Sequence, residues 1–175
     1  QVNDIPPSGI TYSPNSFVLT KGIAMQTVTP SSSGGTVESW SITPSLPTGL
    51  LFDTVTGVIS GTPSIISPSA NYTVTATNTG GSSTAQLTFV VNDAPPTNVV
   101  YNPDSFTLVK GQVMQAPNTN APTYSGGTVT SWTVSPSLPV GLTLNSNGAI
   151  TGTPTVVTPS TVYTVTAHNS GGSTT

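Results

Sequence analysis

The sequence predicts an all-β chain built as two tandem β-sandwich domains, and three observations carry that reading. One repeat is written twice along 175 residues. Apolar and hydroxyl-bearing residues alternate with period two in several short runs, the pattern of half-buried strands. No stretch holds a helical period, and Gly and Pro, 17 of each, punctuate the chain at the spacing of a sandwich.

The repeat comes first. Val2-Asn3-Asp4-Ile5-Pro6-Pro7 returns as Val91-Asn92-Asp93-Ala94-Pro95-Pro96, and Tyr12, Phe17, Leu19, Lys21, Gly22 and Met25 return as Tyr101, Phe106, Leu108, Lys110, Gly111 and Met114. A three-residue insertion in the second copy follows. Ser33-Gly34-Gly35-Thr36-Val37 then matches Ser125-Gly126-Gly127-Thr128-Val129, and Trp40 matches Trp132. After a one-residue deletion, Tyr72-Thr73-Val74-Thr75-Ala76 matches Tyr163-Thr164-Val165-Thr166-Ala167. A period near 90 residues is too long for a solenoid unit and suits an independent domain. The expected domains are residues 1–90 and 91–175.

Along the first copy, strands are expected at Ser16–Thr20, around Trp40 and Ile42, at Leu50–Asp53, Val58–Ser60, Asn71–Thr77 and Thr84–Val91. Tyr72, Val74 and Ala76 fall on one face of their strand and the threonines on the other. Gly57 and Gly148 are expected to close hairpin turns that need φ > 0. In the second copy Trp132 and Val134 repeat the alternation. That copy stops at Thr175, which matches Thr84, so the second domain is expected to lack its final strand and to leave a sheet edge open. Asn92 to Pro96 reads as a turn followed by a short, stiff Pro-Pro linker between two sandwiches in line.

Composition narrows the function classes. Charged residues make up 4% of the chain, against roughly a quarter in ordinary soluble domains. Ser and Thr together supply about one residue in three. With a net charge of −3 and two lysines as the only basic Lys/Arg residues, the chain cannot neutralise a phosphate backbone, which excludes nucleic-acid partners. A basic membrane-surface helix is excluded on the same count. The longest apolar run, about Phe89 to Val91, is far short of the roughly 20 residues that cross a bilayer, so no membrane insertion is expected. The absence of cysteine removes thiol chemistry, disulfides and Cys-ligated zinc. Beginning at Gln1 rather than Met, the chain is expected to be a processed or excised segment.

The run Pro44-Ser45-Leu46-Pro47-Thr48-Gly49-Leu50, then Thr56-Gly57-Val58-Ile59-Ser60-Gly61-Thr62-Pro63, resembles the signature of the putative-Ig repeats. These sit among the dystroglycan-type cadherin-like and Ig-like modules of bacterial surface proteins. The second copy carries it at Pro136 to Leu142 and Gly148 to Pro154. The resemblance implies Ig-like/cadherin-like sandwiches and an extracellular, cell-surface setting.

Candidate chemistry is sparse. Cadherin-like relatives hold linker calcium on an Asp-x-Asn-Asp motif; here Val90-Val91-Asn92-Asp93 lacks the first aspartate. Asn92 and Asp93 are therefore the one calcium candidate, against an ion that takes six to eight oxygens in a chain of five acids. The expectation is no cofactor. A Lys–Asn isopeptide would draw on Lys21 or Lys110 with Asn78 or Asn169, but no acid recurs beside them. His168 is the single histidine and stands where the first copy has Thr77. With no nucleophile elbow the chain is not expected to be an enzyme. Trp40 and Trp132 read as core residues. The many hydroxyls make O-glycosylation plausible, and Asn71-Tyr72-Thr73 is an N-glycosylation sequon.

The leading expectation is an extracellular structural or adhesive segment of a bacterial surface protein, acting as stalk or spacer. Its partners would be neighbouring repeats of the same array, or itself, with a host or matrix protein or a glycan as further candidates. Two alternatives stand beside it: a fibre subunit whose incomplete second domain receives a donated strand, and a carbohydrate-binding accessory module.

Overall fold

A computed structural model describes residues 2–117, 119 and 121–175. Asn118 and Asn120, in the stretch that carries the three-residue insertion, lie outside the described residues. The chain divides into unit 1, Gln1–Asn92, and unit 2, Asp93–Thr175. No helix occurs among the described residues.

Unit 1 holds β1 (Pro7–Thr11), β2 (Ser16–Thr20), β3 (Ser31–Gly34), β4 (Ser39–Thr43), β5 (Leu50–Phe52), β6 (Ile59–Gly61), β7 (Ser67–Asn78) and β8 (Gly81–Asn92). Its main sheet has the order β2-β8-β7-β4. Within it β2 runs parallel to β8, from Ser16 opposite Thr88 to Thr20 opposite Asn92. The other pairs are antiparallel. Alternation sorts the side chains. Tyr72, Val74 and Ala76 of β7 and Leu87, Phe89 and Val91 of β8 are buried. On the opposite face Thr73, Thr75 and Thr77 stand across from Gln86, Thr84 and Ser82. Along β7 and its partners in β8 that outer face carries hydroxyls and amides without charge, which keeps it wetted, while exposed Val18 of β2 stands on the same face opposite Val90.

Against the inner face lie the two-stranded pairs β1-β3 and β5-β6, the latter extended by a bridge from Val28 to Ile59. Ile10, Tyr12, Phe17, Val28, Trp40, Leu50 and Ile59 close the core with the β7 and β8 side chains. Phe17 stacks on its register partner Phe89, ring centroids 4.5 Å apart, and Tyr72 meets Phe89 edge-on at 5.4 Å. Phe89 is thus the centre of an aromatic cluster, in the stacked and edge geometries that ring quadrupoles favour.

Unit 2 holds β9 (Pro96–Val100), β10 (Thr123–Gly126), β11 (Ser131–Ser135), β12 (Leu142–Leu144), β13 (Ile150–Gly152), β14 (Thr164–Asn169) and β15 (Gly172–Thr174). They pair as β9-β10, β11-β14-β15 and β12-β13. The final strand expected to be missing is present as its opening residues: β15 pairs with β14 from Asn169 opposite Gly172 to Ala167 opposite Thr174. Ser105 to Val109, which match β2, are not a strand. In unit 1 the whole ladder of β2 is made with Thr88–Asn92. Only Met114, Ala149, Ile150 and Ala167 among the buried hydrophobic residues belong to unit 2.

Candidate functional site

The polar residues that recur in both copies gather where the chain leads into each unit. In unit 1 the Asp4 N–H donates to Thr79 Oγ1 at 3.1 Å, and the Thr79 hydroxyl donates back to Asp4 Oδ2 at 3.2 Å. Asn78 ends β7, and its Nδ2 donates to the carbonyls of Ile5 at 2.7 Å and Thr36 at 3.1 Å. Its Oδ1 accepts the Gly80 N–H at 2.8 Å. Asn78 is only 6% exposed, and a buried amide is tolerable because both of its ends are bonded. The segment runs between two Gly-Gly turns. A Cβ on Gly35 would strike the Ile5 carbonyl, and one on Gly80 the Asp4 carbonyl. At these positions glycine is required by close backbone approach.

Unit 2 repeats the device. The Asp93 N–H donates to Ser170 Oγ at 2.9 Å. Asn169 Nδ2 donates to the Ala94 carbonyl at 2.6 Å, and Asn169 Oδ1 accepts from Gly171 and Gly172. A Cβ on Gly127 would strike the Ala94 carbonyl, and one on Gly171 the Asp93 carbonyl. The stretch from Asn92 to Pro96, expected as a turn and a short, stiff Pro-Pro linker, is bonded to unit 2 from Asp93 onward. Asn92 ends β8, Asp93 and Ala94 are clamped, and Pro96 is fully buried at the head of β9. Pro7 likewise heads β1. The first residue of a strand is a place where proline's missing N–H does no harm.

The clamp also bears on calcium. Both oxygens of Asp93 accept backbone N–H groups, Oδ1 from Ala94 at 3.0 Å and Oδ2 from Thr128 at 3.3 Å. Among the described residues no three His, Cys, Asp or Glu side chains come together. One carboxylate already spent on amides does not fit an ion that takes six to eight oxygens.

A second recurring contact ties hairpin to sheet. The Tyr12 hydroxyl donates to the Gly57 carbonyl, and the Tyr101 hydroxyl to the Gly148 carbonyl, each at 2.6 Å. Burial pushes the Tyr12 phenol far up and the Tyr101 phenol up to about 12, because desolvation disfavours phenolate. Gly57 and Gly148 have φ of 72° and 84°, as hairpin closure requires. Each also lies against a tryptophan. A Cβ on Gly57 would clash with Trp40 and Pro30, and one on Gly148 with Trp132 and Pro122. The Trp40 ring is buried in the core and that of Trp132 is half-buried.

The remaining candidates are dispersed. Lys21 is bonded through its backbone to Asn92, at one end of β8, while Asn78 pairs with Gly81 at the other. Twelve residues of strand separate them by about 36 Å at roughly 3.3 Å per residue. No crosslink between Lys21 and Asn78 can span that. His168 Nε2 bonds Thr133 Oγ1 at 3.0 Å across the β11-β14 pair. Asn71 of the sequon lies on the outer sheet face, where its Oδ1 accepts the Thr88 hydroxyl at 3.0 Å. No helix among the described residues is long and apolar enough to cross a membrane. The sequence reading missed that Asn78 and Asn169 hold the lead-in segment. The available signal was the coupled recurrence of Asn-x-Gly-Gly with the Asn-Asp-x-Pro-Pro run.

A family profile described as "Putative Ig domain" matches residues 3–92 and again residues 95–175. The serine-rich adhesin for platelets of Staphylococcus aureus strain MRSA252 is 34% identical over 131 residues, which cover 74% of this chain and 10% of that protein. The same adhesin from strain USA300 is matched at 34%, over 6% of its length. The chain thus spans a tenth or less of these relatives. Among solved structures, human protocadherin-24 domains EC1-2 align over 98% of this chain and 89% of that chain, with 14% identity and a TM-score of 0.41. Extracellular domains 3-5 of Drosophila OTK align over 94% and 58%, with 19% identity and a TM-score of 0.46.

Proposed function

The chain belongs to the Putative Ig domain family, and on that premise we propose that it is an extracellular stalk or spacer segment of a bacterial surface protein, with no enzymatic activity. The observation that carries this reading is where the recurring polar groups go. The side chains of Asn78 and Tyr12, with those of Asp93, Asn169 and Tyr101, all bond backbone groups of their own unit, and Asp4 bonds the Thr79 hydroxyl. They close the fold, and among the described residues they do not converge on a common point where a ligand could be held or a reaction run. In unit 1 the chain also enters beside the Asn78 end of β8 and leaves at the Asn92 end. Each such repeat therefore adds about 36 Å of reach, at roughly 3.3 Å per strand residue. An uncharged hydroxyl face suits a segment that holds a distance without recruiting ions. Its partners are then neighbouring repeats of the same array.

An adhesive role is the second reading, favoured by the similarity to a protein named as an adhesin. Binding of the purified chain to immobilised platelets, matrix proteins and a glycan array separates the two. A spacer gives no saturable signal on any of them. Saturable binding to cells or matrix protein would replace the spacer role with adhesion, and binding to a sugar would make it a carbohydrate-binding module.

A further inference from the structure

One edge of the main sheet of unit 1 is unpaired, and the groups along it match a copy of themselves. β2 stands last in the order β2-β8-β7-β4. The Thr88 N–H donates to the Asn15 carbonyl at 2.9 Å, and the Lys21 N–H to the Asn92 carbonyl at 2.8 Å. Backbone direction alternates along a strand, so Phe17 and Leu19 direct their N–H and C=O groups to β8. Those of Ser16, Val18 and Thr20 point the other way. Among the described residues only the Thr20 carbonyl has a backbone partner there, the Ile23 N–H at 3.1 Å. A groove of about 310 Å³, with Phe17 and Val28 among its lining, separates this edge from Met25–Val28 and leaves it uncovered. Its side chains include an apolar spot on the outer face, where Val18 is 74% exposed and stands opposite Val90. Strand edges of soluble proteins are ordinarily blunted by lysine, proline or a bulge. Ser16–Thr20 has none of these.

We propose that β2 is a docking edge for a second copy of this chain, the two β2 strands pairing antiparallel about a two-fold axis at Val18. Val18 then lies opposite Val18 of the second copy, and Ser16 opposite Thr20, as a two-fold contact requires. The partner is a copy of the same strand because the outward order hydroxyl, valine, hydroxyl reads alike in both directions. Each of the three register pairs exchanges two main-chain bonds, about six in all. On the outer face the pairing brings Val18 and Val90 of both copies into one apolar strip, flanked by the Ser16 and Thr20 hydroxyls. Charge selects this register. Lys21, the nearest charge, falls opposite Asn15, which sets the two lysines about 20 Å apart at roughly 3.3 Å per residue. That is well beyond the screening length of about 8 Å, whereas parallel pairing would put them side by side. The contact joins chains laterally and goes beyond the spacer reading, which a chain that stays monomeric leaves untouched.

The test is sedimentation equilibrium of the 175-residue chain from about 10 μM to about 1 mM, the range in which small interfaces associate. The mass should rise toward that of a dimer and no further. Residue-resolved hydrogen exchange over the same range should show the Ser16, Val18 and Thr20 amides gaining protection. Those of Phe17 and Leu19, bonded to β8, should be protected at every concentration. Val18→Lys should weaken association at least about tenfold, and Ser16→Lys is a second edge variant with the same expectation. Val55→Lys, at a 73% exposed position in the turn beside β4 at the far end of the sheet, should leave association unchanged. The unit 1 transition in denaturant reports that each variant is folded. A chain that stays monomeric at about 1 mM overturns the proposal. So does assembly past a dimer, or a dimer whose Ser16, Val18 and Thr20 amides exchange as in the monomer. A dimer that both edge lysines leave intact overturns it as well.

Discussion

The two units differ less in sequence than in how much of it is folded into a core. Tyr12, Phe17, Trp40, Tyr72 and Val74 are buried in unit 1, whereas Tyr101, Phe106, Trp132, Tyr163 and Val165 are half-buried in unit 2. The residue types are nearly the same. In unit 1 the second half of one strand, Leu87–Asn92 of β8, packs among those residues. That strand makes β2 a strand by pairing with it and extends β7 to twelve residues. It also turns three separate aromatic rings into a cluster. Burial and strand formation are thus properties of a non-local partner rather than of the segment itself, the context dependence expected of β structure.

The sharpest way to break the contrast is to give unit 1 the deficit of unit 2. Phe89→Ala removes a fully buried ring in contact with two others, and should lower the unit 1 stability by about 3–5 kcal/mol. In denaturant the unit 1 transition should fall toward that of unit 2, with unit 2 unchanged. Next in size is the clamp. Asn78→Ala leaves the Ile5 and Thr36 carbonyls without their donor, at a cost of about 1–3 kcal/mol. Asn169→Ala, at a half-buried site, should cost unit 2 about 1 kcal/mol or less. Equal losses would mean that burial does not set the strength of the clamp.

Alkaline pH should reach both units through the buried phenols. Because their folded pKa values lie above the ordinary 10, the stability they provide is complete below pH 10. It declines as pH rises from 10 to about 12 for Tyr101, and over a wider span for Tyr12. Tyr12→Phe and Tyr101→Phe should each flatten the alkaline slope of their own unit, measured by denaturant midpoints against pH. The smallest expected effect is at the turn before β6. Asp53 is held below the usual carboxylate range, first by the Val55 N–H and then by the Thr56 hydroxyl and N–H. A lowered carboxylate pKa gives stability above the ordinary value that is lost as pH falls through the lowered one. Unit 2 has Asn145 there. Asp53→Asn should therefore remove a shallow acid dependence from unit 1 and make the two turns alike.

Much of unit 1 was legible where alternation is strong. Ser16–Thr20 appears with the expected bounds, and the Asn71–Thr77 and Thr84–Val91 runs lie inside longer strands. The short strands Pro7–Thr11, Ser31–Gly34, Pro96–Val100 and Thr123–Gly126 were not foreseen. Ser31–Gly34 and Thr123–Gly126 are exposed throughout, so no hydrophobic period marks them. The clamp was half legible: Gly-Gly, Asn78 and the Asp-x-Pro-Pro run each recur, but nothing local joins residues more than 70 positions apart.

By itself the sequence determined that this protein is two copies of one β domain and which side of each long strand faces inward. Repetition is visible by inspection, and a period of two assigns faces without reference to any partner. Only the tertiary structure decided that the chain is clamped to unit 2 directly after Asn92, from Asp93 onward. It alone decided that Phe17 is buried against the Phe89 ring while Phe106 is half-buried. Both depend on which backbone approaches which, and pairing of distant segments is the part of β architecture that no local pattern encodes.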